Sequence, residues 1–264
     1  GRPATARGGP TSGSVGRPAT AGGGPTSGSV GRPATAGGEL DLCLDWLLSC
    51  QHRQVHPFTS AAAGGWGWTD LSGAVPDADD TPGALLALAA LRKSSPPQQA
   101  ARIDTAARLG VGWLLDLQNR DGGWPTFCRG WGALPFDRSG CDLTAHALRA
   151  LHAWRGAASG WDRRTSPARI TVAIGRGLEY LAGQQRADGS WVPLWFGNQH
   201  HPDEENPVYG TARVLLAYRD LHEDRRAEAR RGLKWLASAQ AADGGWTSGT
   251  SGSSSVEETA VAVE

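Results

Sequence analysis

Amphipathic segments with apolar residues at helical spacing recur from residue 39 to the end of the chain, and they predict pairs of α-helices. In each pair the first helix ends in an aromatic residue, and a glutamine follows five positions later. These glutamines are Gln51, Gln118, Gln185 and Gln240. The unit repeats after roughly 55 to 67 residues, a period inside or a little above the range of known helical arrays. The pattern therefore predicts an all-α domain built from repeated helix pairs.

A polar turn that contains tryptophan separates the two helices of each pair. Three turns read QNRDGGW, QRADGSW and QAADGGW, and a longer first turn runs from Gln51 to Trp66. Asp-Gly and Gly-Gly steps permit the positive φ that ends a helix, while the glutamine amide and the indole can tie adjacent hairpins together. We therefore expect structural roles for Trp66, Trp124, Trp191 and Trp246.

The second helix of each pair begins near a threonine. These threonines are Thr81, Thr144, Thr211 and Thr259. Four hairpins, or eight helices, are expected, and the matching offsets of their turns favour a ring of hairpins over a generic α-solenoid.

The first 38 residues differ from the rest of the chain. They repeat a fifteen-residue unit, GRPATARGGPTSGSV, that is rich in glycine, proline, serine and threonine. Such a segment cannot bury enough apolar surface to offset the entropy lost on ordering, so we expect a disordered leader over 1–38 and a helical domain over 39–264. The sequence contains no methionine, which suggests a part of a longer chain.

Composition narrows the range of functions. The 26 basic and 26 acidic residues balance, which argues against a nucleic-acid surface and an electrostatic membrane anchor. Tryptophan, with 12 residues against 3 Tyr and 4 Phe, supplies large apolar faces. The 4 cysteines show no Cys-x-x-Cys spacing, which fits a cytoplasmic location. No apolar run reaches the roughly 18 to 20 residues that span a bilayer. Peripheral association with a membrane stays open.

An acidic cluster, Asp77, Asp79 and Asp80, stands in the segment DADDTP before the second helix of the first pair. Three carboxylates so close together cannot all ionise easily in a partly buried site, because repulsion and desolvation favour the protonated form of at least one. The cluster thus predicts a Brønsted acid. Helix capping by Asp80 or Thr81 is the alternative, and it accounts for one acid of the three.

The repeated threonines bring further ionisable residues into one register. Two positions before them stand Asp79, Asp142, Tyr209 and Glu257. In a ring of hairpins these side chains would share the rim of one cavity. His146 follows Thr144 by two positions and lies one helical turn from Asp142. A charged His146 that donates to the carboxyl of Asp79 would strengthen that acid, whereas a satisfied core histidine is the alternative.

Several of these segments resemble the squalene-hopene and oxidosqualene cyclases, which are class II terpene cyclases. The Gln-x-x-x-Gly-x-Trp turns are similar to the Gln-Trp repeats of that family. GGWGWTDLSGAVPDADDTPGALLAL (64–88) resembles its acid-bearing segment, and CDLTAHALRAL (141–151) resembles the segment that carries a histidine beside the acid. VYGTARVLLA (208–217) is similar to a Tyr-Gly-Thr helix start. The likeness covers about residues 39–264.

The resemblance implies an α/α toroid, here as an incomplete ring, that protonates a linear polyprenoid such as squalene without a metal or other cofactor. It implies that Asp79 donates the proton, that Asp77 and Asp80 support it, and that Asp142 orients His146. Four aromatic residues match cation-facing positions of the family: Trp68, Phe127, Trp195 and Tyr209. The second barrel of the family has no counterpart in the sequence.

Two other functions stay open. Protein prenyltransferase β-subunits share the toroid but need zinc ligands, and the set Asp137, Cys141 and His146 lacks both the expected spacing and a histidine on a separate hairpin. A non-catalytic binding or scaffold module would keep the repeat without turnover. The histidines and acids of 196–207 are expected to form a solvated loop, not a metal site.

Overall fold

The computed structural model describes residues 36–71, 73–130, 135–249 and 253–264. Within these ranges the chain forms eight α-helices: α1 Ala36–Ser49, α2 Asp80–Arg92, α3 Pro97–Leu117, α4 Cys141–Arg155, α5 Pro167–Gln184, α6 Pro207–Asp220, α7 Ala227–Ser238 and α8 Val256–Val263. Two short strands, β1 Trp124–Pro125 and β2 Ser139–Gly140, pair antiparallel. Residues 1–35 of the predicted leader lie outside the described residues, and α1 begins at Ala36, inside its predicted end.

The helices lie in two layers. The second helices of the predicted pairs follow one another in space, with α2 against α4, α4 against α6, and α6 against α8. Helices α3 and α5 pack behind them and contact each other. Leu85 on α2, Leu114 on α3 and Leu148 on α4 are fully buried in the apolar core. The predicted fold class, an incomplete all-α toroid, is confirmed.

Helix partners differ in one respect from the expected hairpins. Among helices that follow one another in the chain, the most extensive packing joins α2 with α3, α4 with α5, and α6 with α7, across the connections that lack a Gln-to-Trp turn. The chain folds back on itself at those connections. Each Gln-to-Trp turn instead carries the chain from the outer layer to the next inner helix.

The glutamine side chains hold each turn against the following outer helix. In the first three turns the glutamine amide Nε2 donates one hydrogen bond to a glycine carbonyl within its own turn and a second to a carbonyl of the next outer helix. The pairs of acceptors are Gly64 and Ala106 for Gln51, Gly122 and Ala173 for Gln118, and Gly189 and Glu228 for Gln185, all at 2.7 to 2.9 Å. Gly122 and Gly189 have φ of 96° and 100°, the region that favours glycine.

The turn tryptophans anchor the starts of the inner helices. Trp124, which is fully buried, donates from its indole Nε1 to the carbonyl of Leu114 (2.9 Å) and from its backbone N–H to Oγ1 of Thr144 (3.0 Å). The same two contacts recur at the other turn tryptophans: Trp66 with Leu47 and Thr81, Trp191 with Leu181 and Thr211, and Trp246 with Leu236 and Thr259. Their expected structural role is confirmed.

Glycines in the outer helices leave room for the indoles. A side chain at Gly110 would place its Cβ 2.7 Å from the ring of Trp66, and one at Gly232 would lie 2.5 Å from the ring of Trp191. Each of these turn indoles therefore packs directly against an outer helix. The threonine contacts place the starts of α2, α4, α6 and α8 at one end of the inner layer. The predicted acid residues stand there.

Candidate active site

Asp77 stabilises the start of α2. Its Oδ1 accepts hydrogen bonds from the backbone N–H groups of Asp79 (2.9 Å) and Asp80 (2.6 Å). The capping that the sequence suggested for Asp80 or Thr81 is thus performed by Asp77, while Oγ1 of Thr81 contacts the backbone of Trp66 instead. The side chain of Asp79 makes no capping hydrogen bond. Its carboxyl group is available for another purpose.

Burial favours the protonated forms of two acids in this cluster. Asp77 is 2% exposed, and desolvation together with the charge of Asp80 raises its pKa. The pKa of Asp79, a half-buried side chain, is also raised, mainly by desolvation and then by Asp80, while Arg213 opposes the shift. Asp77 and Asp79 therefore hold a proton more tightly than ordinary aspartates do.

Asp142 is a further buried acid at the same end of the inner layer. It is 3% exposed, and its Oδ1 has no hydrogen-bond partner in the structure. Desolvation raises its pKa to about 6; the nearby Asp79 adds to this shift, and Arg213 opposes it. Asp79 thus acts on the ionisation of Asp142, with which it shares a register in the repeat.

The predicted charge of His146 is wrong. Burial, followed by the positive charges of Arg213 and Arg149, lowers its pKa to about 3, so the imidazole is neutral at physiological pH. Nδ1 of the ring lies 3.4 Å from Nη2 of Arg213. On the other side, a Cβ at Gly83 of α2 would lie 3.6 Å from Nε2. The ring therefore bridges α6 and the first turn of α2 without a charge of its own.

Sequence reasoning missed Arg213. This half-buried side chain follows Thr211 by two positions, the offset at which His146 follows Thr144, so the register itself carried the signal. Its Cζ lies 5.9 Å from the ring centroid of Tyr209. No carboxylate in the described residues forms an ion pair with it. Within the described part of the chain, Arg213 is thus an unpaired cation in contact with His146.

A cleft of about 340 Å³ joins the acids to aromatic rings. Its wall combines all three carboxylates of the cluster with five aromatic residues: Trp68, Phe127, Phe136, Trp195 and Phe196. A second cleft, of about 330 Å³, shares Trp68, Asp79 and Asp80 with the first and extends to His146. Asp79 therefore faces an apolar space on one side and the histidine on the other.

Four of the rings form a continuous chain of contacts. Centroids are 6.2 Å apart between Trp68 and Phe127, 5.2 Å between Phe127 and Phe136, and 4.9 Å between Phe136 and Trp195. The indole N–H of Trp195 donates to Oγ1 of Thr126, and this hydrogen bond fixes one end of the chain of rings. Three of the four predicted aromatic residues thus lie together in the cleft.

Tyr209, the fourth predicted aromatic residue, lies apart from this wall. Its ring centroid lies 5.3 Å from that of Phe196 in a tilted arrangement, and Cζ of Arg213 lies over the tyrosine ring. Phe136 and Phe196 were not predicted. Phe196 adjoins Trp195 in the chain, and Phe136 stands in an irregular segment where no periodic signal marks it.

The remaining candidate features were a metal site and a membrane span. Across 36–71, 73–130, 135–249 and 253–264 no three His, Cys, Asp or Glu side chains come together as a metal site, so Asp137, Cys141 and His146 do not form one. None of the helices in the same ranges has the length and hydropathy needed to cross a membrane.

Comparison with known proteins connects this geometry to a family. The profile of the "Squalene-hopene cyclase C-terminal domain" matches residues 37–262. A probable squalene-hopene cyclase of Sinorhizobium fredii is 29% identical over 221 residues, covering 77% of this chain and 31% of the relative. Drimenyl diphosphate synthase of Streptomyces showdoensis is 33% identical over 173 residues, covering 64% of this chain and 27% of the relative.

A solved structure shares the fold. The type II terpene cyclase MstE from Scytonema, in complex with geranylgeranyl dihydroxybenzoate, superposes with a TM-score of 0.53 at 18% identity, over 88% of this chain and 57% of that one. The chain spans less than a third of the length of the curated relatives it matches, at most 31%. Because the family profile covers nearly the whole helical domain, the chain belongs to the squalene-hopene cyclase family of class II terpene cyclases.

Proposed function

We propose that this domain starts the cyclisation of a linear polyprenoid, such as squalene, by protonating a terminal alkene. The observation that carries the proposal is the cleft in which the carboxyl of Asp79 faces a wall of aromatic rings. Relatives named as squalene-hopene cyclases and a drimenyl diphosphate synthase support a polyprenoid substrate.

Asp79 is the proposed proton donor. Its raised pKa keeps a proton on the carboxyl at higher pH than an ordinary aspartate would, and its side chain is not used for helix capping. The π electrons of the alkene form a bond to this proton, the positive charge moves to the more substituted carbon, and Asp79 becomes a carboxylate. In this proposal Asp77 shapes the turn, and Asp80 discourages early ionisation.

The aromatic wall stabilises the carbocation that follows. A cation over a desolvated ring gains about 0.5 to 2 kcal/mol, and rings cannot quench it as water would. Trp68, Phe127, Phe136 and Trp195 offer a series of such faces along the cleft. Trp68 is 56% exposed and Trp195 is 39% exposed, so a substrate in the cleft would cover these faces and displace water from them.

Incubation of the purified chain with squalene tests the proposal, with cyclic products measured by mass spectrometry. We expect Asp79→Asn to lower the rate at least about a hundredfold, because it removes the transferable proton. Asp70→Asn, which changes an exposed aspartate outside the cluster, is the matched control and should retain the rate. Saturable binding of squalene without any product from the unaltered chain would instead support the non-catalytic module.

A further inference from the structure

Helix α6 places a guanidinium against the histidine of α4. Nη2 of Arg213 lies 3.4 Å from Nδ1 of His146, and its Cζ stands 5.9 Å from the ring of Tyr209. If Nδ1 accepts from the guanidinium, the single proton of a neutral imidazole must be on Nε2. Nε2 points towards Gly83 in the first turn of α2, the turn that begins at Asp79.

Arg213 and Arg149, two arginines near this site, differ in whether a carboxylate pairs with them. Arg149 on α4 is paired with Asp220 at 2.6 Å, and the two side chains are only 14% and 28% exposed. Arg213 has no such partner among the described residues, while Oδ1 of the buried Asp142 has no hydrogen bond. An unpaired cation and an acid with one unpartnered oxygen therefore occupy the same end of the inner layer in the part of the chain that the structure describes.

We infer that Arg213 is a positioning residue that holds His146 as the neutral tautomer with its proton on Nε2 and keeps a permanent positive charge beside the acid site. This inference rests on the proposed function. The positive charge stabilises the carboxylate that Asp79 becomes after it gives its proton to the alkene. Arginine suits this task because it stays charged throughout the pH range in which proteins are folded.

The electrostatic influence of Arg213 reaches the whole cluster. It lowers the pKa of His146, and it opposes the rise in the pKa values of Asp79 and Asp142 that burial causes. Titratable and charged groups surround His146 on several helices. The end of α1 and the start of α2 bring Cys50, Asp79 and Asp80. Helices α4 and α6 bring Asp142, Arg149, Tyr209 and Arg213, and Glu257 of α8 acts on Tyr209.

Nuclear magnetic resonance of the imidazole nitrogens tests the contact without requiring turnover. The signal of His146 among the 7 histidines is assigned with His146→Asn. In the unaltered chain we expect Nδ1 to be unprotonated and the ring to stay neutral well below pH 5. Arg213→Gln should raise the proton affinity of the ring about tenfold or more, whereas Arg219→Gln, which removes an exposed charge from the same helix, should not. An unchanged titration and tautomer in Arg213→Gln would overturn the inference.

Kinetics test the positioning role. We expect Arg213→Gln to lower kcat about a hundredfold with little change in KM, and Arg213→Lys to restore part of the loss because it restores the charge. The kcat of Arg213→Gln relative to that of the unaltered chain should rise on acidification. A protonated His146 then supplies the positive charge that was lost with Arg213. A ratio that does not change with pH would contradict the role. An inactive unaltered chain would contradict the proposed function, while the resonance experiment would still decide the contact.

Discussion

The Gln-to-Trp turns and the starts of the inner helices lie side by side but differ in how they use the repeat. The turns keep the same contacts each time: a glutamine amide to a glycine carbonyl, an indole to a leucine carbonyl, and a tryptophan N–H to a threonine hydroxyl. Taken as a pair, the residues two positions before and two positions after each threonine change from repeat to repeat: Asp79 and Gly83, Asp142 and His146, Tyr209 and Arg213, Glu257 and Val261. The repeat therefore positions side chains, and the variable positions supply the chemistry.

This comparison predicts that substitutions at the variable positions change activity and that substitutions in the turns change stability. Asp79→Asn should reduce cyclisation by about 10²- to 10⁴-fold, the effect of removing a general acid, without lowering the free energy of unfolding, because Asp79 caps no helix and burial disfavours its charged form. Parallel measurements of product formation and urea unfolding check this. A variant that lost activity only because it unfolded would break the distinction.

A turn tryptophan should have the opposite effect. Trp124→Ala removes a fully buried ring and its hydrogen bonds, so we expect the free energy of unfolding to fall by about 3 to 5 kcal/mol. Trp246→Ala is the matched comparison in the last turn, where the ring is only partly buried. It should lower the free energy of unfolding by less than Trp124→Ala does. Denaturant unfolding measures both variants. Equal losses of unfolding free energy at the two positions would show that burial of the ring by the next repeat contributes nothing to stability.

Asp142 should make stability depend on pH. Its pKa is about 6 in the folded protein against 3.8 for an ordinary aspartate, so the folded state binds the proton more tightly than the unfolded state. Stability conferred by the protonated acid is therefore present at low pH and is lost as the pH rises through this interval. The free energy of unfolding of Asp142→Asn, relative to that of the unaltered chain, should therefore rise by up to about 3 kcal/mol between pH 4 and pH 7.5, the free-energy equivalent of the difference between these two pKa values. A difference that does not vary with pH would contradict the assignment.

The smallest effect is expected at the glutamines. Gln118 reaches carbonyls of both its own turn and α5, whereas Gln240 donates only to Gly244 among the residues that the structure describes. We expect Gln118→Ala to lower the free energy of unfolding by about 1 to 3 kcal/mol and Gln240→Ala by about 1 kcal/mol or less. The comparison checks whether the second hydrogen bond joins the repeats.

The fold could be predicted because its signals are local and repeated. Gln118, Trp124 and Thr144 form contacts over short sequence distances, and the same spacing returns in the other repeats. The acids were predicted for the same reason, since Asp79 and Asp142 share a register with the threonines. The α2 cap was assigned to the wrong residue because Asp77, Asp80 and Thr81 all suit a helix start, and only the folded turn decides among them.

The charge of His146 could not be predicted from its surroundings in the sequence. It depends on burial and on Arg213, which lies 67 residues further along the chain. Phe136 was missed because it stands outside any periodic segment, yet its ring connects Phe127 to Trp195. Residues whose role arises from long-range packing leave no local pattern to read.

The most direct test of alkene protonation is the cyclisation of squalene in deuterium oxide. The carboxyl proton of Asp79 exchanges with solvent, so the account predicts one carbon-bound deuterium in each cyclic product at the carbon that received the proton, and loss of that labelled product in Asp79→Asn. Cyclic products without deuterium at that carbon, or equally abundant labelled products from Asp79→Asn, would contradict it.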